Sequence, residues 1–113
     1  MRKTYLGELE EVVLLTVGML YKTGAYGVAI TEKLGEQTGR NISISAVHAT
    51  LHRLEEKGFL KSKVGGATTE RGGRRKRFFF LTASGSKALV DIREIREQFW
   101  DQIPRKAILL KSI

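Results

Sequence analysis

The sequence predicts a mainly α-helical domain with a small two-stranded hairpin. Three observations carry that expectation. Apolar residues recur at three- and four-residue spacing over most of the chain. That pattern gives way to strand-like alternation only between Phe59 and Leu81. Within that interval lies RGGRRKRFFFL, Arg71 to Leu81, a glycine-broken turn bearing Arg71, Arg74, Arg75, Lys76 and Arg77 that runs straight into Phe78, Phe79 and Phe80.

The first helix is predicted from Leu6, Leu9, Val13, Val17 and Leu20, which form one apolar stripe. Glu8, Glu10 and Glu11 fall in its first turns, where the helix dipole favours acids. Val12 and Leu14 widen the apolar surface, so this helix is expected to contact more than one layer, the second being a place for another subunit. Tyr26, Ile30 and Leu34 predict a second helix, with Gly39 as its C-terminal stop. A third helix starts at Ser43 or Ser45 as N-cap and ends before Gly58, with Val47, Leu51 and Leu54 inward. Its opposite side carries Ser45, Ala49, His52 and Glu56, flanked by His48 and Arg53, a polar and mostly short face.

Strands are predicted over Phe59–Val64 and Lys76–Leu81, joined by a glycine-rich, charged tip. Alternation puts Phe79 and Leu81 on one face and Phe78 and Phe80 on the other, so both faces need a cover, from the first helix or from a partner subunit. Thr82 caps a last helix in which Leu89, Ile92, Ile95 or Arg96, Phe99 and Ile103 fall close to heptad spacing, and Pro104 ends or kinks it.

The 113 residues suffice for one core and leave little room for a separate catalytic domain. Lys and Arg number 20 against 12 Asp and Glu, a net charge of +8. Residues 53–77 hold nine basic and three acidic side chains, so +6 of that charge is a local patch suited to a polyanion. With no cysteine there is no disulfide framework, thiolate nucleophile or zinc–cysteine site. His48 and His52 stand one turn apart, but the sequence offers no third ligand to accompany them, and a metal site is not expected. Neither a nucleophile–base pair nor a cofactor motif is visible, so an enzyme is not expected. Acids by position 8 and an apolar run broken by Thr16 and Gly18 predict neither a signal peptide nor a spanning helix; a soluble, cytoplasmic protein without a membrane partner is the expectation.

Three helices, a two-stranded wing and a further helix make the layout of a winged helix-turn-helix domain, in which the second and third helices form the DNA-reading pair. The runs LGELEEVVLLTVGML, AYGVAITEKL, SISAVHATLHRLEEKGFL and ERGGRRKRFFFLTASG, in that order from Leu6 to Gly85, resemble the PadR family of bacterial transcriptional regulators. The resemblance is to the short C-terminal form. It implies a homodimer that binds double-stranded operator DNA, usually as a repressor relieved by a small molecule, with residues 1–82 as the DNA-binding domain and 83–113 as the dimerisation helix and tail. Two departures from the family pattern stand out: His48 stands where tyrosine is usual, and Phe78 and Phe79 replace a tyrosine pair. A tyrosine hydroxyl can donate to phosphate at ordinary pH, whereas imidazole offers charge only when protonated.

The expected DNA contacts are Ser43, Ser45, His48, Ala49, His52 and Arg53 on the third helix and Arg71, Arg74, Arg75, Lys76 and Arg77 on the wing. The wing cations would neutralise phosphates and supply affinity more than sequence choice. Leu9, Val12, Val13, Ile92, Ile95, Phe99, Trp100 and Ile103 are the candidates for a dimer interface or for a pocket where a flat aromatic effector stacks on Trp100. Two other readings stay open at this point: an architectural DNA-binder without an effector, and a winged-helix module that binds an acidic protein.

Overall fold

A computed structural model describes residues 6–65 and 75–108. The expected Arg71 and Arg74 contacts, the hairpin tip, and Leu109, Leu110 and Ile113 lie outside these described residues. The described elements run in the order α1 (Glu8–Met19), α2 (Gly27–Thr38), α3 (Ile44–Glu56), β1 (Leu60–Val64), β2 (Arg77–Leu81), α4 (Ala83–Asp101) and α5 (Arg105–Ile108). This is the winged helix-turn-helix arrangement: helices first, a hairpin after α3, then a long helix leaving the body.

Each boundary has a local cause. Glu10 reaches back so that its carboxylate accepts from the Gly7 N–H at 2.9 Å, satisfying one of the free donors at the start of α1. Gly39 closes α2 in the left-handed conformation, φ 70°, that only glycine adopts without strain. Ser43 is the N-cap of α3, its Oγ accepting from Ala46 N at 3.1 Å; Ser45 instead lies exposed within the helix. Thr82 caps α4 by accepting from Gly85 N at 3.0 Å and also donates to the Gly58 carbonyl at 2.6 Å. α4 ends at Asp101, two residues short of Ile103, and α5 resumes after Pro104 as a short exposed turn.

The core lies where α1, α2 and α3 meet the inner face of the hairpin. Val13, Leu14, Ile30, Leu34, Val47, Leu51 and Leu54 are fully buried, and Leu60 and Ala88 close it from the hairpin and α4. The breadth of α1's apolar surface is explained within the protomer, since α1 packs against α2, α3, β2 and α4. The buried hydroxyls of Thr16 and Thr50 donate to carbonyls four residues back, at 2.6 and 2.8 Å, so neither is left unpaired.

β1 and β2 pair antiparallel with Leu60 opposite Leu81 and Val64 opposite Arg77. A third stretch joins them: Tyr26 forms an isolated bridge to Phe78, and Phe79 N donates to the Ala25 carbonyl at 2.8 Å. The outer face of β2 is therefore covered at Phe78 by the segment before α2, while Phe80 stays exposed on the protomer. At the other end of β2, Gly85 lets α4 approach closely: a Cβ there would stand 2.1 Å from the Phe59 carbonyl oxygen.

Candidate nucleic-acid interface

The N-terminal end of α2, the exposed side of α3 and the root of the wing enclose an open cleft of about 820 Å³. α3 contributes Ile44, His48, Leu51, His52 and Glu55; the wing contributes Arg75, Lys76, Arg77 and Phe79; α2 and the residue before it contribute Tyr26, Gly27 and Val28. Burial of Val47, Thr50, Leu51 and Leu54 on one side of α3 fixes its rotation and turns Ser45, His48, Ala49 and His52 outward.

Two contacts hold the basic residues of the wing root in place. Lys76 Nζ lies 4.2 Å from the centre of the Tyr26 ring, a cation–π contact, and that ring meets Phe78 edge-on with centroids 5.7 Å apart. Arg77 Nη1 donates to Ser62 Oγ at 2.9 Å, and Ser62 Oγ donates to Glu55 Oε2 at 2.7 Å, linking the wing through β1 to α3. The wing root is thereby registered against both helices of the helix-turn-helix. His48 sits in the space left by the absent side chain of Gly27, where a Cβ would come within 2.3 Å of its Nε2. His52 Nε2 lies 3.5 Å from Glu56 Oε2 one turn on.

Of the expected DNA-contact residues, His48, His52, Arg75, Lys76 and Arg77 come together in the cleft. Ser43, Ser45 and Ala49 are exposed along the same helix beside it. Arg53 is directed elsewhere: its Nε lies 3.6 Å from Glu10 Oε2 and its Nη2 donates to Thr50 Oγ1, so it ties α3 to α1. Tyr26, Val28 and Ile44 were not expected here. Val28 and Ile44 are off the buried stripe of their helices, which in sequence reads as plain surface, and no linear spacing reveals that Tyr26 meets a lysine 50 residues away. Among the described residues no three metal-ligating side chains converge, and no helix is long and apolar enough to cross a membrane.

A second apolar surface lies away from the cleft, on α4. Phe99 and Trp100 are 69% and 60% exposed, and with Ile95, Arg96 and Ile103 they line a shallow hollow of about 190 Å³. Arg96 also reaches back to α1, its Nε donating to Glu11 Oε2 at 3.2 Å. Leu9, Val12 and Ile92 are partly buried against the core. Val13 is wholly inside it, so it has no free surface to offer a pocket between subunits; the helical stripe that suggested it points into the protomer.

The sequence profile of the transcriptional regulator PadR-like family matches residues 14–91, more than half of the chain and the whole of the body that forms the cleft. The chain belongs to the PadR-like family of transcriptional regulators. It is therefore a DNA-binding regulator by family. Solved PadR-like structures share its fold. A PadR family regulator from Eggerthella lenta superimposes with a TM-score of 0.67 at 22% identity, covering 90% of this chain and 88% of that one. A PadR family regulator from Clostridium difficile is 28% identical with a TM-score of 0.56, covering 80% and 86%. RosR of H. salinarum gives a TM-score of 0.68 at 20% identity over 95% and 88%. No curated protein matches the sequence.

Proposed function

We propose that this PadR-like chain is a homodimeric repressor that reads a palindromic operator with α3 and releases it when a small flat aromatic effector binds. In this reading residues 1–82 are the DNA-binding unit and 83–113 the dimerising helix and tail. The observation that carries it is the convergence of α3's short polar face and the cations Arg75, Lys76 and Arg77 on one cleft. Ser43, Ser45, His48, Ala49 and His52 face the major groove, because the N-terminal part of a recognition helix is the part that reaches base edges. The wing cations bond phosphates, with Arg71 and Arg74 extending the row by sequence. Arg53 serves the fold first, through Glu10.

Dimerisation rests on α4. Two large aromatic side chains, each more than half exposed and flanked by Ile95 and Ile103, form the kind of apolar patch that marks an interface. Two-fold pairing through this patch leaves Trp100 beside a hollow between the subunits, where an aromatic effector stacks. A two-fold dimer places the α3 helices in successive major grooves, roughly 34 Å apart.

The decisive measurement is duplex binding as a function of salt. Arg75→Ala with Lys76→Ala weakens binding to operator and to random duplex by similar factors and lowers the slope of log K against log salt by about two. Loss confined to the operator would assign the wing to base reading. Absence of duplex binding by the parent protein would favour an acidic protein partner.

A further inference from the structure

The side of α3 that faces the cleft lacks the strong base-reading side chains. Its only arginine, Arg53, is held toward Glu10, and it contains no asparagine, glutamine or lysine. The bidentate pairs that arginine makes with guanine and asparagine with adenine are therefore not available from this helix. What the cleft offers instead is apolar. Ile44, the first residue of α3, is 41% exposed, and Val28, the second residue of α2, is 49% exposed. Single exposed aliphatic residues are ordinary on any surface. These two differ in that they come from separate helices, both at N-terminal turns, and line the same cleft as His48 and the wing cations Lys76 and Arg77.

We infer that Val28 and Ile44 are specificity-determining residues that read the C5-methyl groups of thymines in the operator's major groove. The inference rests on the proposal that α3 enters that groove. The cations of the wing root set the occupant, because they draw a phosphate backbone over the cleft and exclude an apolar protein helix from it. Once a duplex lies there, the apolar group that a major groove presents is the thymine methyl. Burying a methyl against an aliphatic side chain discriminates it from bare hydrogen by about four-fold per group. Two such readers per protomer give a dimer a combined preference large enough to select A·T positions without arginine contacts.

The test uses a duplex selected from a randomised pool by the full-length protein, and the same duplex with every thymine replaced by uracil. At one salt concentration the parent dimer binds the thymine form on the order of 100-fold or more tightly, from four methyl contacts, two per protomer, at about four-fold each. Val28→Ser with Ile44→Ser brings the two affinities within about two-fold, while its thermal melting stays near the parental value; about four-fold per methyl is the effect being removed. Equal binding of thymine and uracil forms by the parent overturns the inference. So does a double variant that keeps the parental ratio, which would place methyl reading on another residue such as Ala49. A parent that prefers no selected duplex over random DNA overturns the operator reading itself, and this inference with it.

Discussion

Glu10 shows how much one side chain can decide in a chain of this size. It is an acid in the first turn of α1, yet it is buried, and both of its oxygens accept from Lys57 Nζ at 3.0 and 2.9 Å. Burial by itself pushes its carboxyl up. The hydrogen bonds from Lys57 and Gly7 and the charges of Lys57 and Arg53 together outweigh burial and hold it below the ordinary carboxylate range. A carboxyl lowered in the folded state contributes stability above its unfolded pKa and loses it as pH falls through the folded value. Urea unfolding should therefore show Glu10→Gln about 1–3 kcal/mol less stable than the parent near neutral pH. The gap should close well below about pH 4, where Glu10 itself is protonated; a gap that persists there would mean that Lys57 matters by packing alone. The sequence placed this residue correctly on the helix dipole but gave no sign of its burial, because the partner that buries it lies 47 positions away.

At the scale of elements, the helices were legible because their signals are local. Periodicity, Ser43, Gly39 and Thr82 fixed α1 to α4 within a residue or two, and alternation separated Phe79 and Leu81, which meet the core, from Phe78 and Phe80 without saying which pair faces inward. What lay beyond reach was the join between elements: the bridge from Tyr26 to Phe78 that covers the wing's outer face, and the relay from Arg77 through Ser62 to Glu55. Such contacts depend on which segments the fold brings side by side, and no short window of sequence carries that. Gly85 is the sharpest case. In sequence it is a poor helix former near a helix start; in the fold it is the point where α4 rests on the Phe59 carbonyl. Gly85→Ala, ordinarily helix-favouring, should instead destabilise the protein by about 1–3 kcal/mol through overpacking. Thermal melting measures this directly, and a stabilised Gly85→Ala would show that α4 can shift outward without loss.

For the whole molecule, the candidate site was legible as charge and illegible as shape. The basic run foretold the wing, and the outward phase of α3 foretold His48 and His52, but the apolar floor made by Val28 and Ile44 emerged only when two helix ends met. On α4 the heptad position Phe99 and its neighbour Trp100 are both exposed, whereas Val13, grouped with them in the sequence, is buried because α1 spends that stripe on its own core. Ile95→Glu with Phe99→Glu should therefore give a monomer in sedimentation velocity, with a folded body. It should also reduce affinity for a palindromic duplex by an order of magnitude or more, because the second recognition helix is no longer tethered to the first. A double variant that still sediments as a dimer would move the interface elsewhere. In the parent, saturable quenching of Trp100 emission by an aromatic ligand would report the hollow beside it.

Thr82 has a mechanical consequence. Its hydroxyl is bonded at once to Gly58, where α3 ends, and to Gly85, where α4 begins, and its N–H donates to the Phe59 carbonyl at 3.1 Å. The long helix is thus tied directly to the turn that follows α3. α4 is a lever of about 28 Å, so displacing its far end by about 5 Å corresponds to a tilt of only about 10° at that pivot. Under the proposed effector reading, a ligand lodged between the distal aromatic residues would turn α3 through the same small angle, with Thr82 as the pivot.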